Sequence, residues 1–152
     1  MKGLFWCLLT VLFFTRCTND VFYQVNKPIE NRAWTYAQVP TFNIEIKDNS
    51  KPFDVWVNIR HTGEYDYANL FVLVHQKGPR NQDTTYRREL ILARQDGRWL
   101  GHNSGNLYEN QLLLKENYTF PDTGVYTVGI EQNMRENPLR EITDIGVQLI
   151  QK

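Results

Sequence analysis

Hydrophobic and polar positions alternate with a period of two along most of this chain. Phe42, Ile44 and Ile46 face one way while Asn43, Glu45 and Lys47 face the other, the pattern of a strand with one buried and one wet face. Val55, Val57 and Ile59 alternate in the same way with Asp54, Trp56, Asn58 and Arg60. Further on, Tyr126, Val128 and Ile130 alternate with Thr127, Gly129 and Glu131, and Ile145, Val147 and Leu149 close the series. Residues 70–75 (LFVLVH) are apolar on both faces and predict a central strand; residues 84–93 and 107–114 read as two more. Clusters rich in Gly, Pro, Asn and Asp at 48–52, 77–79, 95–97 and 121–124 are of the kind that reverse a strand. Seven or eight short strands with no convincing amphipathic helix predict an all-β antiparallel β-sandwich. Immunoglobulin-like and jelly-roll arrangements both fit that spacing.

The N-terminus follows a different rule. Lys2 precedes an apolar run over residues 4–14, and Thr15, Arg16 and Cys17 stand where a signal peptidase cuts. The run is well short of the roughly 20 residues that a membrane-spanning helix needs. Residues 1–16 therefore read as a lipoprotein signal peptide, with Cys17 as the lipidated residue. The alternative is an ordinary signal peptide that leaves Cys17 as a free thiol, and Arg16 is its best support, because a lipoprotein signal usually carries a small residue there. Cys7 lies within the leader and Cys17 is the only other cysteine, so the exported chain has no intramolecular disulfide; acylation at a new N-terminus accounts for the single thiol. Residues 17–37 are polar and aperiodic and predict a lipidated tether. Residues 38–152 are expected to form one β-sandwich domain, held to the membrane through the N-terminal lipid.

Charge narrows the class of partner. Lys2 and Arg16 belong to the leader, so two of the 17 basic residues are lost from the exported part while all 17 acidic ones remain. That slight acidity, without any Lys/Arg stripe, argues against nucleic acid. His61, His75 and His102 are never at metal-ligand spacing. There is no G-x-S-x-G, phosphate loop or dinucleotide fingerprint. Glu64 and Asp66 flank Tyr65 and imitate a carboxylate pair, but residues two apart share a face without spanning a substrate. The expectation is a non-enzymatic protein with no catalytic residues, no metal and no cofactor.

Contacts are then the remaining chemistry. Trp34, Trp56, Trp99, Tyr65 and Tyr67 fall at expected strand edges or loops, where exposed rings would stack on a sugar or a partner, although aromatic residues in all-β domains are mostly core. Trp56 is the sharpest of them, because it lies on the polar side of its strand. The other candidate is residues 132–139, which follow a strand and end at Pro138 and Leu139. Gln132, Met134 and Arg135 there, with Trp99, are the partner-binding candidates; a plain polar crossover loop is the alternative.

Several short motifs in order carry a family resemblance: Asp96-Gly97-Arg98-Trp99-Leu100-Gly101, then Leu107-Tyr108-Glu109, then Phe120-Pro121-Asp122-Thr123-Gly124-Val125-Tyr126, leading to Gln132-Asn133-Met134-Arg135. With the lipoprotein-like N-terminus, and with Trp34, Ile59-Arg60, Tyr67-Ala68-Asn69-Leu70, Pro138-Leu139 and Asp144-Ile145-Gly146, the chain resembles the gliding-motility lipoprotein H family, GldH, of Bacteroidota. Arg16 departs from the usual lipobox. The resemblance implies a lipoprotein of the cell envelope, anchored at the outer membrane and facing the periplasm. It also implies an accessory role in gliding motility tied to type IX secretion, with envelope proteins of that machinery as partners. Two rival classes are a surface glycan-binding lipoprotein, using Trp56, Trp99 or Tyr65 as stacking platforms, and a small envelope hydrolase with a carboxylate pair that the sequence does not locate.

Overall fold

The computed structural model describes residues 20–152; the leader and Cys17 lie outside the described residues. Eleven strands follow in order: β1 (Val21–Pro28), β2 (Ala33–Trp34), β3 (Thr41–Ile46), β4 (Phe53–Thr62), β5 (Asn69–Lys77), β6 (Thr84–Ile91), β7 (His102–Ser104), β8 (Leu107–Tyr118), β9 (Gly124–Gln132), β10 (Leu139–Arg140) and β11 (Ile142–Gln151). One sheet has the order β1-β11-β4-β8-β7 and the other β3-β9-β5-β6, while β2 and β10 form a small ribbon. Every pairing is antiparallel.

The pairings choose between the two sandwiches that spacing leaves open. β5 pairs with β6, β4 with β8, β3 with β9, and β1 with β11. The eight long strands are thus nested pairs, innermost to outermost, and successive long strands mostly alternate between the two sheets. That is a jelly roll. In an immunoglobulin-like sandwich the first and last strands do not close the same nest.

The alternation read from the sequence becomes the core. Val55, Val57 and Ile59 of β4 and Ile145, Val147 and Leu149 of β11 point inward from the larger sheet, each with at most 6% of its surface exposed. Phe42, Ile44 and Ile46, Leu70, Val72 and Val74, and Tyr126, Val128 and Ile130 meet them from the smaller sheet. One end is closed by rings: Phe120 packs on Phe53 at 5.7 Å and on Tyr126 at 4.7 Å between centroids, the tilted geometries that aromatic pairs prefer. β5 lies between β9 and β6 as a central strand, and its outer residues Phe71 and Leu73 are half-buried.

The tether expected over residues 17–37 is corrected from Val21 onward. Tyr23, Val25 and Lys27 lie opposite Leu149, Val147 and Ile145, so β1 saturates the hydrogen-bonding edge of β11. The domain therefore begins at about Val21 and not at residue 38. β1 is an edge strand, almost entirely exposed; Val21, Tyr23 and Val25 alternate, but Phe22 interrupts that short pattern and Lys27 ends it. After it, Ile29 is buried and its N–H donates to the Thr143 carbonyl at 2.8 Å, a 3-10 turn over Glu30–Arg32 follows, and Trp34 is driven fully into the core. No helix of the described residues is long and apolar enough to cross a membrane.

Candidate functional site

At one end of the smaller sheet, residues 133–138 leave β9 and return to β10, and the loop is pinned from every side. Gln132 is fully buried. Its amide N–H groups donate to the Glu136 carbonyl at 3.0 Å and the Trp34 carbonyl at 3.4 Å, and its carbonyl accepts the Met134 N–H at 2.8 Å. Asn137 accepts the Tyr36 N–H at 3.0 Å, the Tyr36 hydroxyl donates to the Met134 carbonyl at 2.7 Å, and the Tyr67 hydroxyl donates to Glu136 at 2.8 Å. A loop with its backbone satisfied in this way has little ordering entropy left to lose on binding a partner.

What the loop presents is a mixed patch. Arg135 is exposed and Met134 half-buried. The Met134 sulfur accepts the Phe71 N–H at 3.3 Å. Arg87 lays its guanidinium over the Phe71 ring, 3.8 Å from the centroid, and donates through Nε to Asn133 at 2.8 Å. Tyr36, 41% exposed, completes the rim. Arg, Tyr, Phe and Met are the side chains enriched where proteins meet. Tyr36, Phe71 and Arg87 escape sequence reasoning because they come from three distant segments that only the fold brings together.

Two of the four partner-binding candidates change role. Gln132 positions the loop and offers no surface. Trp99 is half-buried in a ring cluster, 4.5 Å from His61, 5.8 Å from Tyr108 and 6.2 Å from Tyr65 between centroids, so its burial is structural. The stacking roles considered for Trp34 and Tyr65 are likewise excluded by burial, at 0% and 4% exposure. Trp56 is half-buried on the outer face of the larger sheet. Met134 and Arg135 stay on the surface patch, and Cys17 lies outside the described residues.

The three histidines are far apart in role. His75 bonds Glu131 at 2.7 Å on the outer face of the smaller sheet, and His102 is exposed on β7. His61 is fully buried: Nδ1–H donates to the Thr62 carbonyl at 2.8 Å, and Nε2 has no partner. Among the described residues no three His, Cys, Asp or Glu side chains gather as a metal would require. Burial pushes His61 below its ordinary value, partly opposed by the bond to Thr62. The unfolded chain then takes up this proton more readily than the folded one. His61 costs no stability well above pH 6.5, and stability falls as pH drops below about 6.5 toward the depressed folded value. Chemical denaturation between pH 7.5 and 5 should show that loss, with a slope of at most about 1.4 kcal/mol per pH unit from this residue. His61→Gln should flatten it, and an unchanged slope would assign the acid sensitivity elsewhere.

Motif residues distant in sequence also meet on the larger sheet, where Arg60 pairs with Glu109 and reaches Asp144 at 3.4 Å. Comparison with known proteins leads to the family that those motifs resemble. The profile of the GldH lipoprotein family matches residues 21–149. A gliding motility lipoprotein GldH homolog of Christiangramia forsetii is 30% identical over 154 residues, covering 97% of this chain and 94% of the relative. The gliding motility lipoprotein GldH of Flavobacterium johnsoniae is 29% identical over 152 residues, covering 95% of this chain and 94% of the relative. A profile match running from β1 to β11, with relatives that align from end to end, establishes that the chain belongs to the GldH lipoprotein family.

Proposed function

We propose that this lipoprotein is an accessory part of the gliding-motility apparatus, tied to type IX secretion, that acts by protein–protein contact and not by catalysis. The pinned 133–138 loop is the observation that carries this reading: it holds Met134 and Arg135 beside Tyr36, Phe71 and Arg87 in a rigid patch suited to docking. Cys17 is the lipidated residue, and the lipid holds the domain at the outer membrane on its periplasmic side. The relatives' names support the motility assignment.

Two experiments test it. In the first, Cys17→Ser should release the protein from the membrane fraction, and the intact wild type should carry an acyl mass. Retention of the variant together with an unmodified wild type would refute the anchor. In the second, partners recovered from cross-linked cells are compared between wild type and Arg135→Ala or Arg87→Ala, with thermal melts alongside. Each truncation should weaken association by roughly 1 to 4 kcal/mol if it removes an interface anchor, while the melts stay close to wild type. Undiminished recovery from both variants would discard the docking face.

A further inference from the structure

We infer that the outer face of the larger sheet, on the opposite layer of the sandwich from the docking patch, is a binding groove for a neutral oligosaccharide. The groove encloses about 370 Å³, toward the lower end of small-ligand sites. Its floor is set by sheet register. Gln24 of β1 lies opposite Gln148 of β11, which lies opposite Trp56 of β4 and, beyond it, Leu113 of β8. The next row runs Asn26, Gly146, Asn58 and Gln111. Asn26 lies across Gly146 in that row: a Cβ there would collide with the Asn26 side chain and fall 2.9 Å from the Val25 carbonyl.

The chemistry of these rows selects a class of ligand. An amide side chain both donates and accepts, as a sugar hydroxyl does. Asn58 donates to Asn26 at 3.3 Å, and Gln111 donates to Gln148; these bonds use one edge of each amide and orient the rest. Asn110 lies opposite the inward-pointing Ile59, so its buried side chain belongs to the inner face of the sheet and takes no part in the groove.

Charge and apolar surface reject the other classes. Arg60 is the groove's only Lys or Arg, and it is neutralised by two carboxylates, Glu109 and Asp144. The cluster keeps one excess negative charge and so repels phosphate, uronate or nucleic acid. A protein interface needs a dehydrated apolar centre, whereas the side chains facing this groove are polar or charged and Ile59, which also borders it, turns inward to the core. An added peptide strand would pair along a sheet edge and not across its face. Trp56 and Leu113, the latter 40% exposed, flank the amides on the same face, where the apolar side of a sugar ring can rest. The two rows cross four strands, β1, β11, β4 and β8, since β7 reaches only Glu109; at about 4.8 Å spacing they span roughly 14 Å, room for a short oligosaccharide.

The test uses the detergent-solubilised lipoprotein with immobilised cellotetraose, chitotetraose, xylotetraose and mannotetraose, and with tetragalacturonate as the anionic counterpart. At least one neutral tetrasaccharide should bind saturably. The double variant Asn26→Ala, Gln111→Ala, which changes two exposed side chains, should lose at least about tenfold in affinity through the missing hydrogen bonds, with its melting temperature unchanged. Met134→Ala and Arg135→Ala should bind sugar as the wild type does, which separates this site from the docking patch. The inference is overturned if no neutral tetrasaccharide binds, if the double variant binds undiminished, or if tetragalacturonate binds tightest. Loss of protein-partner recovery in the double variant without any sugar binding would reassign the face to a protein and overturn it equally.

Discussion

Replacing Trp34 by alanine is expected to remove about 4 to 6 kcal/mol of stability, of which about 3 to 5 is the cavity left by a buried indole and about 1 is its hydrogen bond. The side chain has no exposed surface, and its Nε1–H donates to the Gln38 carbonyl at 2.7 Å. Native domains hold only about 5 to 15 kcal/mol in total, so the variant should be partly unfolded at growth temperature. Trp34→Phe keeps most of the packing and should lose only about 1 to 2 kcal/mol. The effect reaches the proposed docking patch by a short route. Trp34 pairs with Leu139 in the β2–β10 ribbon, and its carbonyl accepts from Gln132, the side chain that ties down the 133–138 loop. Denaturant titration of both variants measures the stabilities, and partner recovery should fall further for the alanine than for the phenylalanine. A Trp34→Ala protein within about 1 kcal/mol of wild type would contradict the packing described.

Trp99→Ala should cost about 2 to 4 kcal/mol, below the full range for such truncations because the indole is half-buried. The tight turn before it is built for this position: Asp96 accepts the Arg98 N–H at 3.1 Å, and Gly97 takes a φ of +83° that side chains disfavour. Trp99 is thereby returned over His61 and joined to Ala93 by a bridge. Its removal opens His61 to water, which should raise the histidine toward its ordinary value and shrink the acid-induced loss of stability described above. The two readouts together identify the role. Lost partner recovery with a wild-type melt would restore Trp99 to the docking surface, whereas a lowered melt with a flatter pH dependence confirms a packing residue.

The residues that were legible in sequence are those whose burial is periodic. Val55, Val57 and Ile59, or Phe42, Ile44 and Ile46, announce a strand and its inner face, because a half-buried strand imposes a two-residue repeat on its own composition. LFVLVH reads as central for the same reason, and the turn clusters mark where pairing must stop. An all-β sandwich, and the short motifs that place the chain among GldH lipoproteins, follow from such local patterns.

Tertiary structure alone decided the rest. Whether the sandwich is a jelly roll depends on which strands pair across long separations, and hydrogen-bond ladders between backbones leave no signature in side chains. β1 was hidden for a related reason: its main-chain bonds to β11 define it, while the alternation of Val21, Tyr23 and Val25 is interrupted by Phe22 and ended by Lys27, so it looks like a tether. Trp34 and Gln132 are buried, and Trp99 half-buried, only through neighbours that the fold brings to them. The two candidate surfaces are of the same kind. Arg87, Phe71 and Met134 in one, and Gln24, Asn58, Gln111 and Gln148 in the other, are ordinary strand and loop residues that acquire a joint chemistry through register. The sequence by itself therefore determined the class of fold and its family, because each rests on local periodicity or short contiguous motifs. The sandwich topology, the true start of the domain and the make-up of both surfaces were decided by the tertiary structure, because each is a relation between segments far apart in the chain.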